Sequence, residues 1–298
     1  MDSGRFAAGT CPSSPLTLTR TEVRSILDRH GLHPKRSLGQ NFVVEPNTVR
    51  RIVELAGVGP GDQVVEVGPG VGSLTLALLE AGAAVTAVEV DDALVGALEE
   101  VVSRSPYADL RIVCGDALTA DWGSLLGDRT GSWHLVANLP YNISVPLVCD
   151  LLDGVEAIGR MLVMVQREVA ARLVAGPGDA AYGLPSVKVS YHAEARTVGR
   201  VPPSVFLPRP RVESALVEIV RRPAPLVDVD PQVLFGVVRA GFGQRRKMLR
   251  RSLRNLIDEE GLIVAGVDPT ARAEDLGLDD WAAVATQYSA EGRGRDDH

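Results

Sequence analysis

Val64-Val65-Glu66-Val67-Gly68-Pro69-Gly70-Val71-Gly72-Ser73 decides how this chain folds. Three valines around one carboxylate read as a buried strand. Glycines at 68, 70 and 72 then break the strand, and an apolar helical pattern follows. Strand, Gly-rich turn and helix start together open a βαβ unit. Gln63 to Val67 is the strand, and Val71 to Ala81 the helix. Next come a strand at Ala84 to Glu89, a helix at Asp92 to Ser103, and strands at Leu110 to Cys114 and His134 to Asn138. Val145 to Leu152 reads as helix, Arg160 to Val165 as strand, Glu168 to Val174 as helix and Val212 to Val220 as strand. This alternation predicts an α/β fold: a Rossmann-like, mainly parallel sheet with helices on both faces.

The flanks read differently. Thr21 to Arg29 is a helix with Thr21 as its N-cap, and Asn47 to Leu55 is another, after the basic stretch Pro34 to Phe42. Pro202-Pro203 and Pro208-Arg209-Pro210 bracket a rigid loop around Phe206. Pro223 and Pro225 mark a linker, and beyond Asp230 the pattern is helical without a strong strand. The expected organisation is an α/β domain over 19–222, a small helical domain over 223–290, and disordered tails at 1–18 and 291–298.

Bulk properties exclude several classes. The 298 residues are 45% hydrophobic, enough for a globular core and against general disorder. No apolar run reaches membrane-spanning length, and Met1 to Leu18 lacks a basic start followed by an apolar stretch, so neither a membrane span nor a secretory signal is expected. Three cysteines (Cys11, Cys114, Cys149) at wide spacing fit a reducing cytoplasm. The five histidines show no ligand spacing, so no metal is expected. The net charge of −7 counts against a nucleic-acid partner unless basic residues gather on one face.

Three readings of the Gly-rich turn compete. One is a plain turn of an α/β protein. The second is an NAD-type fingerprint, which wants glycine where Ser73 stands. The third is an S-adenosylmethionine site. Glu89 ends the next strand about 20 residues on, where a carboxylate meets ribose hydroxyls. Glu66 suits a cationic sulfonium better than a diphosphate. Asp116, after the strand ending at Cys114, can accept from an adenine amine, although an Asp there also serves as a turn former.

Asn138-Leu139-Pro140-Tyr141 follows a strand and so belongs at the same sheet edge. The exocyclic nitrogen of adenine is a poor nucleophile because its lone pair is delocalised into the ring. Two acceptors on its N–H groups, the Asn138 side-chain oxygen and the Leu139 carbonyl, would favour a pyramidal nitrogen. Pro140 fixes the turn, and Tyr141 offers a face for stacking an extruded base. A turn with a buried tyrosine is the structural alternative. Phe206 reads either as the opposite face of a base sandwich or as a packing anchor.

The chain at this point resembles the ribosomal RNA adenine dimethyltransferases. The resemblance rests on Lys35-Arg36-Ser37-Leu38-Gly39-Gln40-Asn41-Phe42, Glu66-Val67-Gly68-Pro69-Gly70, Asn138-Leu139-Pro140-Tyr141-Asn142-Ile143-Ser144 and Val205-Phe206-Leu207-Pro208-Arg209-Pro210. It runs from about Leu32 to Leu256, and the branch it resembles most is the bacterial small-subunit group linked to kasugamycin sensitivity. It implies S-adenosylmethionine as cofactor and dimethylation of two adjacent adenines near the 3′ end of 16S ribosomal RNA. The implied partner is an immature 30S subunit, met by a cytoplasmic monomer. Implied cofactor contacts are Asn41, Val43, Gly68, Glu89, Asp116 and Asn138; implied base contacts are Asn138, Leu139, Tyr141 and Phe206, with Pro140 between them. Val43 stands where relatives often carry Leu, and Leu184 where they often carry a basic residue. A macrolide-resistance enzyme acting on 23S RNA and a non-catalytic assembly or transcription factor on the same fold are the rivals.

Arg245-Arg246-Lys247-Met248-Leu249-Arg250-Arg251-Ser252-Leu253-Arg254 holds six basic residues and no acidic one. As one helix it would face Arg246, Lys247, Arg250, Arg251 and Arg254 outward and pack Met248, Leu249, Leu253 and Leu256 on the body. With Arg245, Lys35 and Arg36 these are the expected RNA contacts.

Overall fold

The computed structural model describes residues 17–107, 109–127 and 133–293, without the side chains of Arg36 and Arg293. The chain enters on α1 (Arg20–Arg29), whose Thr19 N-cap and Glu22 form a reciprocal capping box. The helix therefore starts one residue before the expected Thr21. Thr17 and Leu18, which the expected tail included, are buried against the body; the rest of that tail and Cys11 lie outside the described residues. A 3-10 turn at Arg36–Leu38 and the short strand β1 (Phe42–Val43) lead into α2 (Pro46–Ala56), closed by Gly57.

Strands and helices then alternate: β2 (Gln63–Val67), α3 (Ser73–Glu80), β3 (Ala84–Glu89), α4 (Asp92–Ser103), β4 (Leu110–Cys114), α5 (Trp122–Leu126) and β5 (Trp133–Asn138). They continue with α6 (Ser144–Gly154), β6 (Ile158–Gln166), α7 (Arg167–Val174), α8 (Leu184–His192), β7 (Ala193–Val201), β8 (Phe206–Leu207) and β9 (Ser214–Arg221). The seven-stranded sheet has the order β4-β3-β2-β5-β6-β9-β7. The first five strands pair in parallel, while β9 runs antiparallel to both β6 and β7. β1 and β8 form a separate antiparallel pair, with Val43 opposite Phe206.

Side-chain alternation splits the sheet between two cores. Val64, Val85, Val136, Leu162 and Leu216 face a layer built with α1 to α4. Val65, Val88, Leu135, Val163 and Val217 face the layer of α6 and α7. Glu66 shares the face of Val64, which places a carboxyl beneath α3.

A third core gathers α9 (Pro231–Gly243), α10 (Leu249–Ser252), α11 (Glu259–Val264) and α12 (Leu278–Arg293) around the fully buried Trp281. Tyr182, Val187 and Tyr191, on or next to α8, belong to this core as well. The helical unit thus begins its packing well before residue 223. The chain end continues as helix through Arg293, beyond the expected start of a tail, and 294–298 lie outside the described residues. No helix among the described residues is long and apolar enough to cross a membrane.

The basic segment is not one helix. Gln244 to Lys247 form a turn closed by Lys247 N–H on the Gln244 carbonyl (2.8 Å), and Met248 makes a β-bridge to Arg272. Helix resumes only at Leu249 and stops at Ser252. Leu249 and Leu253 are buried as expected, but Met248 is exposed because the bridge swings its backbone out of helical register.

Candidate active site

The chain order of the sheet reverses between β2 and β5. Loops leaving the carboxyl ends of those two strands diverge, and a crevice opens between them. About 980 Å³ of empty space, open mouth included, lies there. Its floor is the turn from Glu66 to Ser73, one wall is Glu89, Val90 and Gly115 to Ala117, and another is Leu38 to Val43. Asn138, Pro140, Asn142 and Ile143 close the remaining side. The cleft therefore brings together Asn41, Val43, Gly68, Glu89, Asp116 and Asn138 from five separate stretches of chain. Gly70 adopts φ +58°, and a Cβ there would sit 2.7 Å from the Phe42 ring. Only glycine lets the turn pack this closely on β1.

The lining carries three carboxyl side chains, Glu66, Glu89 and Asp116, and no lysine or arginine among the described residues. Such a cleft repels a diphosphate and attracts a cation. The Glu89 oxygens accept the Gly70 N–H (3.1 Å) and the Asp91 N–H (3.0 Å). A carboxylate has about four acceptor sites, so capacity for a hydroxyl pair remains. Burial raises the Glu89 pKa, and these two N–H bonds oppose the rise. Asp116 is exposed and spends one oxygen on the Leu118 N–H (2.9 Å), so it is a turn former and a cleft residue at once. Ser73 was legible only as the residue that breaks an NAD fingerprint. Its Oγ is buried, lines the cleft and has no partner among the described residues. Unpaired buried hydroxyls are uncommon, and this one marks a place for a polar ligand group.

Glu66 is fully enclosed, and burial pushes its pKa up to about 8, against the Thr75 hydroxyl bond (2.6 Å) and with added repulsion from Glu89. It is therefore protonated at neutral pH in the ligand-free protein, while the unfolded chain would ionise it. A folded pKa above the unfolded one gives stability that is present below pH 4.5 and drains away as pH rises toward 8. By pH 7 the loss is on the order of 3 kcal/mol. Glu66→Gln should remove this slope and raise ligand-free stability at pH 7.5. Urea unfolding of both proteins between pH 5.5 and 8 checks it, and parallel pH profiles would refute it.

Asn138 holds the mouth of the cleft. Its Nδ2 donates to the Asn41 carbonyl at 2.9 Å, which sets the amide orientation. The other end, Oδ1, is buried and has no hydrogen-bond donor among the described residues. A buried amide oxygen without a partner costs about 1–3 kcal/mol, so the fold holds a strong acceptor in reserve. Next to it, Leu139 N–H bonds the Met164 carbonyl (3.1 Å), locking the turn to β6. The Tyr141 hydroxyl pairs with Ser214 Oγ (2.9 Å), which fixes its ring, and burial raises its pKa.

Residues 31–289 match the family model for ribosomal RNA adenine dimethylase. The chain belongs to the ribosomal RNA adenine dimethylase family. The small subunit methyltransferase A of Kineococcus radiotolerans is 48% identical, over 90% of this chain and 90% of its own length. A crystal structure of a dimethyladenosine transferase from Plasmodium falciparum superposes with a TM-score of 0.71 at 22% identity, covering 83% of this chain and 97% of that one. The 23S rRNA methyltransferase ErmE superposes with a TM-score of 0.61 at 26% identity, covering 83% and 99%.

Within this family member, several residues expected at the site sit elsewhere. Phe206 is fully buried in the core, paired through β8 with Val43, so it presents no face for stacking. Its packing role wins because the β1–β8 pairing seats it beside Val43 in the core. Leu139 also buries its side chain, which does not bear on the role expected of its backbone carbonyl. Lys35 does not reach outward freely: its ammonium lies 2.9 Å from Asp91. Arg245 is tied to Glu274 (2.7 Å) and to the Ala180 carbonyl (3.0 Å), which makes it a brace of the helical unit. Arg250 lies 3.5 Å from Glu259. Arg246, Lys247, Arg251 and Arg254 are exposed. The Arg36 side chain lies outside the described residues.

Proposed function

We propose that this protein dimethylates the N6 amines of two adjacent adenines near the 3′ end of 16S ribosomal RNA, working as a cytoplasmic monomer on an immature 30S subunit. Family membership carries the coarser part: the chain is an S-adenosylmethionine-dependent ribosomal RNA adenine dimethyltransferase. The 48% identity to a small subunit enzyme, against 26% to a 23S enzyme, favours the 16S substrate over the macrolide-resistance reading.

The observation that carries the reading is the unpartnered Asn138 Oδ1 at the cleft mouth. The acidic, lysine- and arginine-free lining fits a sulfonium nucleoside, with Glu89 and Asp116 toward its ribose and base and Ser73 and Glu66 toward its amino-acid end. When bound, that cofactor supplies an electrophilic methyl group. Asn138 Oδ1 then accepts one N–H of the adenine amine, and the Leu139 carbonyl takes the other. With both hydrogens held, the nitrogen lone pair is freed from the ring and directed into the cleft. Tyr141, fixed through Ser214, supports the ring of the extruded base. No side chain in the turn is a strong base, and the proton leaves to solvent after methyl transfer.

Labelled S-adenosylmethionine with immature 30S particles tests this. Label recovered as dimethyladenosine in 16S RNA is expected. Label in 23S RNA would instead assign the resistance activity, and no label would leave a binding factor.

A further inference from the structure

The stretch Lys35 to Asn41 crosses the cleft and touches both of its ends. At one end, Lys35 Nζ donates to Asp91 (2.9 Å) and Gln40 Nε2 donates to the other Asp91 oxygen (2.8 Å). The stretch is also closed on itself: Lys35 N–H reaches Gln40 Oε1 (2.7 Å), and Gln40 N–H returns to the Lys35 carbonyl (3.3 Å). Gripping Lys35 and Gln40 therefore fixes the whole loop as one unit. At the other end, the Asn41 carbonyl accepts the Asn138 amide at 2.9 Å. Between them, Gly39 at φ +66° lies against the catalytic turn, where a Cβ would come within 2.9 Å of Asn142 Oδ1 and 3.1 Å of the Tyr141 nitrogen.

Asp91 stands where the two walls meet. Its own N–H donates to Glu89, whose other oxygen holds Gly70 in the floor of the cleft. It is 7% exposed, and both of its oxygens are spent on the loop. We propose that Asp91 and Lys35 are positioning residues: their ion pair holds the Lys35–Asn41 loop across the cleft, so it sets the cofactor wall and the orientation of the Asn138 amide together. This rests on the reading of the cleft as the S-adenosylmethionine site. It also moves Lys35 from an RNA contact to a part of the cofactor site. Burial opposes the charge on Asp91, but the bonds from Lys35 and Gln40 outweigh it and hold the carboxyl below its ordinary range.

The test is a double-mutant cycle on the full chain with Lys35→Met, Asp91→Asn and the pair. S-adenosylmethionine binding is measured calorimetrically without RNA, and turnover and RNA affinity are measured with immature 30S particles. Each single variant should weaken cofactor binding about tenfold and lower kcat as well, while the double variant is no worse than the poorer single one. Lys35→Arg should retain most of the affinity, and 16S RNA binding by Lys35→Met should be unchanged. Thermal melts separate this from a general loss of fold, since a merely structural role lowers Tm without moving the Kd of the folded protein. Lys35→Met that binds cofactor like wild type but loses RNA affinity would overturn the proposal, as would additive losses in the double variant. Failure of the wild-type protein to bind S-adenosylmethionine at all would instead remove the cofactor reading itself, and the proposal with it.

Discussion

Asn138→Ala is expected to lower kcat for adenine methylation by about 100- to 1000-fold, the range seen when one preorganised polar group is removed from a reacting centre. The structure gives the reason in two bonds. Oδ1 is a buried acceptor without a donor among the described residues, and Nδ2 is the donor that ties the turn to Asn41. Alanine removes both. Loss of the first leaves the adenine amine planar and unreactive. Loss of the second loosens the cofactor wall, so S-adenosylmethionine binding weakens too, by a smaller factor. Asn138→Asp separates the two effects. A carboxylate there would face the Asn41 carbonyl with a second acceptor, which repels. Once protonated, the carboxyl again offers one donor to Asn41 and one acceptor to the substrate. Activity of this variant should therefore rise as pH falls below neutrality, in a direction opposite to the demand for an unprotonated adenine. Single-turnover methyl transfer across pH 5.5 to 8.5 measures it. Wild-type rates for Asn138→Ala would sink the acceptor mechanism outright.

The fold was legible where local pattern and tertiary environment agree. β2, β3 and β4 begin and end where the apolar runs predict, because Gly, Asp and Glu at their ends stop the pattern. β7 carried no such signal. Its sequence alternates imperfectly, Gly199 interrupts it, and as an edge strand it leaves Arg196 and Thr197 exposed around a register shift. α8 carried no start signal either: it is capped by Gly183, without a polar N-cap side chain, and has Pro185 in its first turn. The site divides in the same way. Residues that the adjacent chain places in the cleft, such as Glu89 at the end of a strand and Asn138 before a proline turn, are visible in sequence. Asp91 is not, since its partner Lys35 lies 56 positions away and no periodicity links them. Phe206 shows the converse failure: two proline pairs mark a rigid loop but say nothing about which way its aromatic ring points.

Neutralising Arg246, Lys247, Arg251 and Arg254 together to Gln should weaken binding to immature 30S particles by at least about 100-fold near 100 mM salt. The four lie between α9 and α11, in the turn before the short helix, in the helix itself and in the turn after it, and all are exposed. None has an acidic partner among the described residues, in contrast to Arg245 with Glu274 and Arg250 with Glu259. On a protein of net charge −7, four unneutralised cations within nine residues make a local field of opposite sign to the whole. An RNA backbone fits that field, because each phosphate neutralised releases counterions and adds about 0.9 to the salt slope. The charges do not share one helix: the turn at Gln244 to Lys247 carries Arg246 and Lys247, and the bridge at Met248 separates them from Arg251 and Arg254. The quadruple variant should accordingly lose about three to four units of salt slope, with unchanged S-adenosylmethionine affinity and unchanged kcat at saturating RNA. Arg245→Gln alone should behave differently: it should cost stability of the helical unit, read as a lower Tm, and leave the salt slope in place. An unchanged slope in the quadruple variant would assign these arginines and lysine to an ordinary solvated face and move the RNA contact elsewhere on the surface.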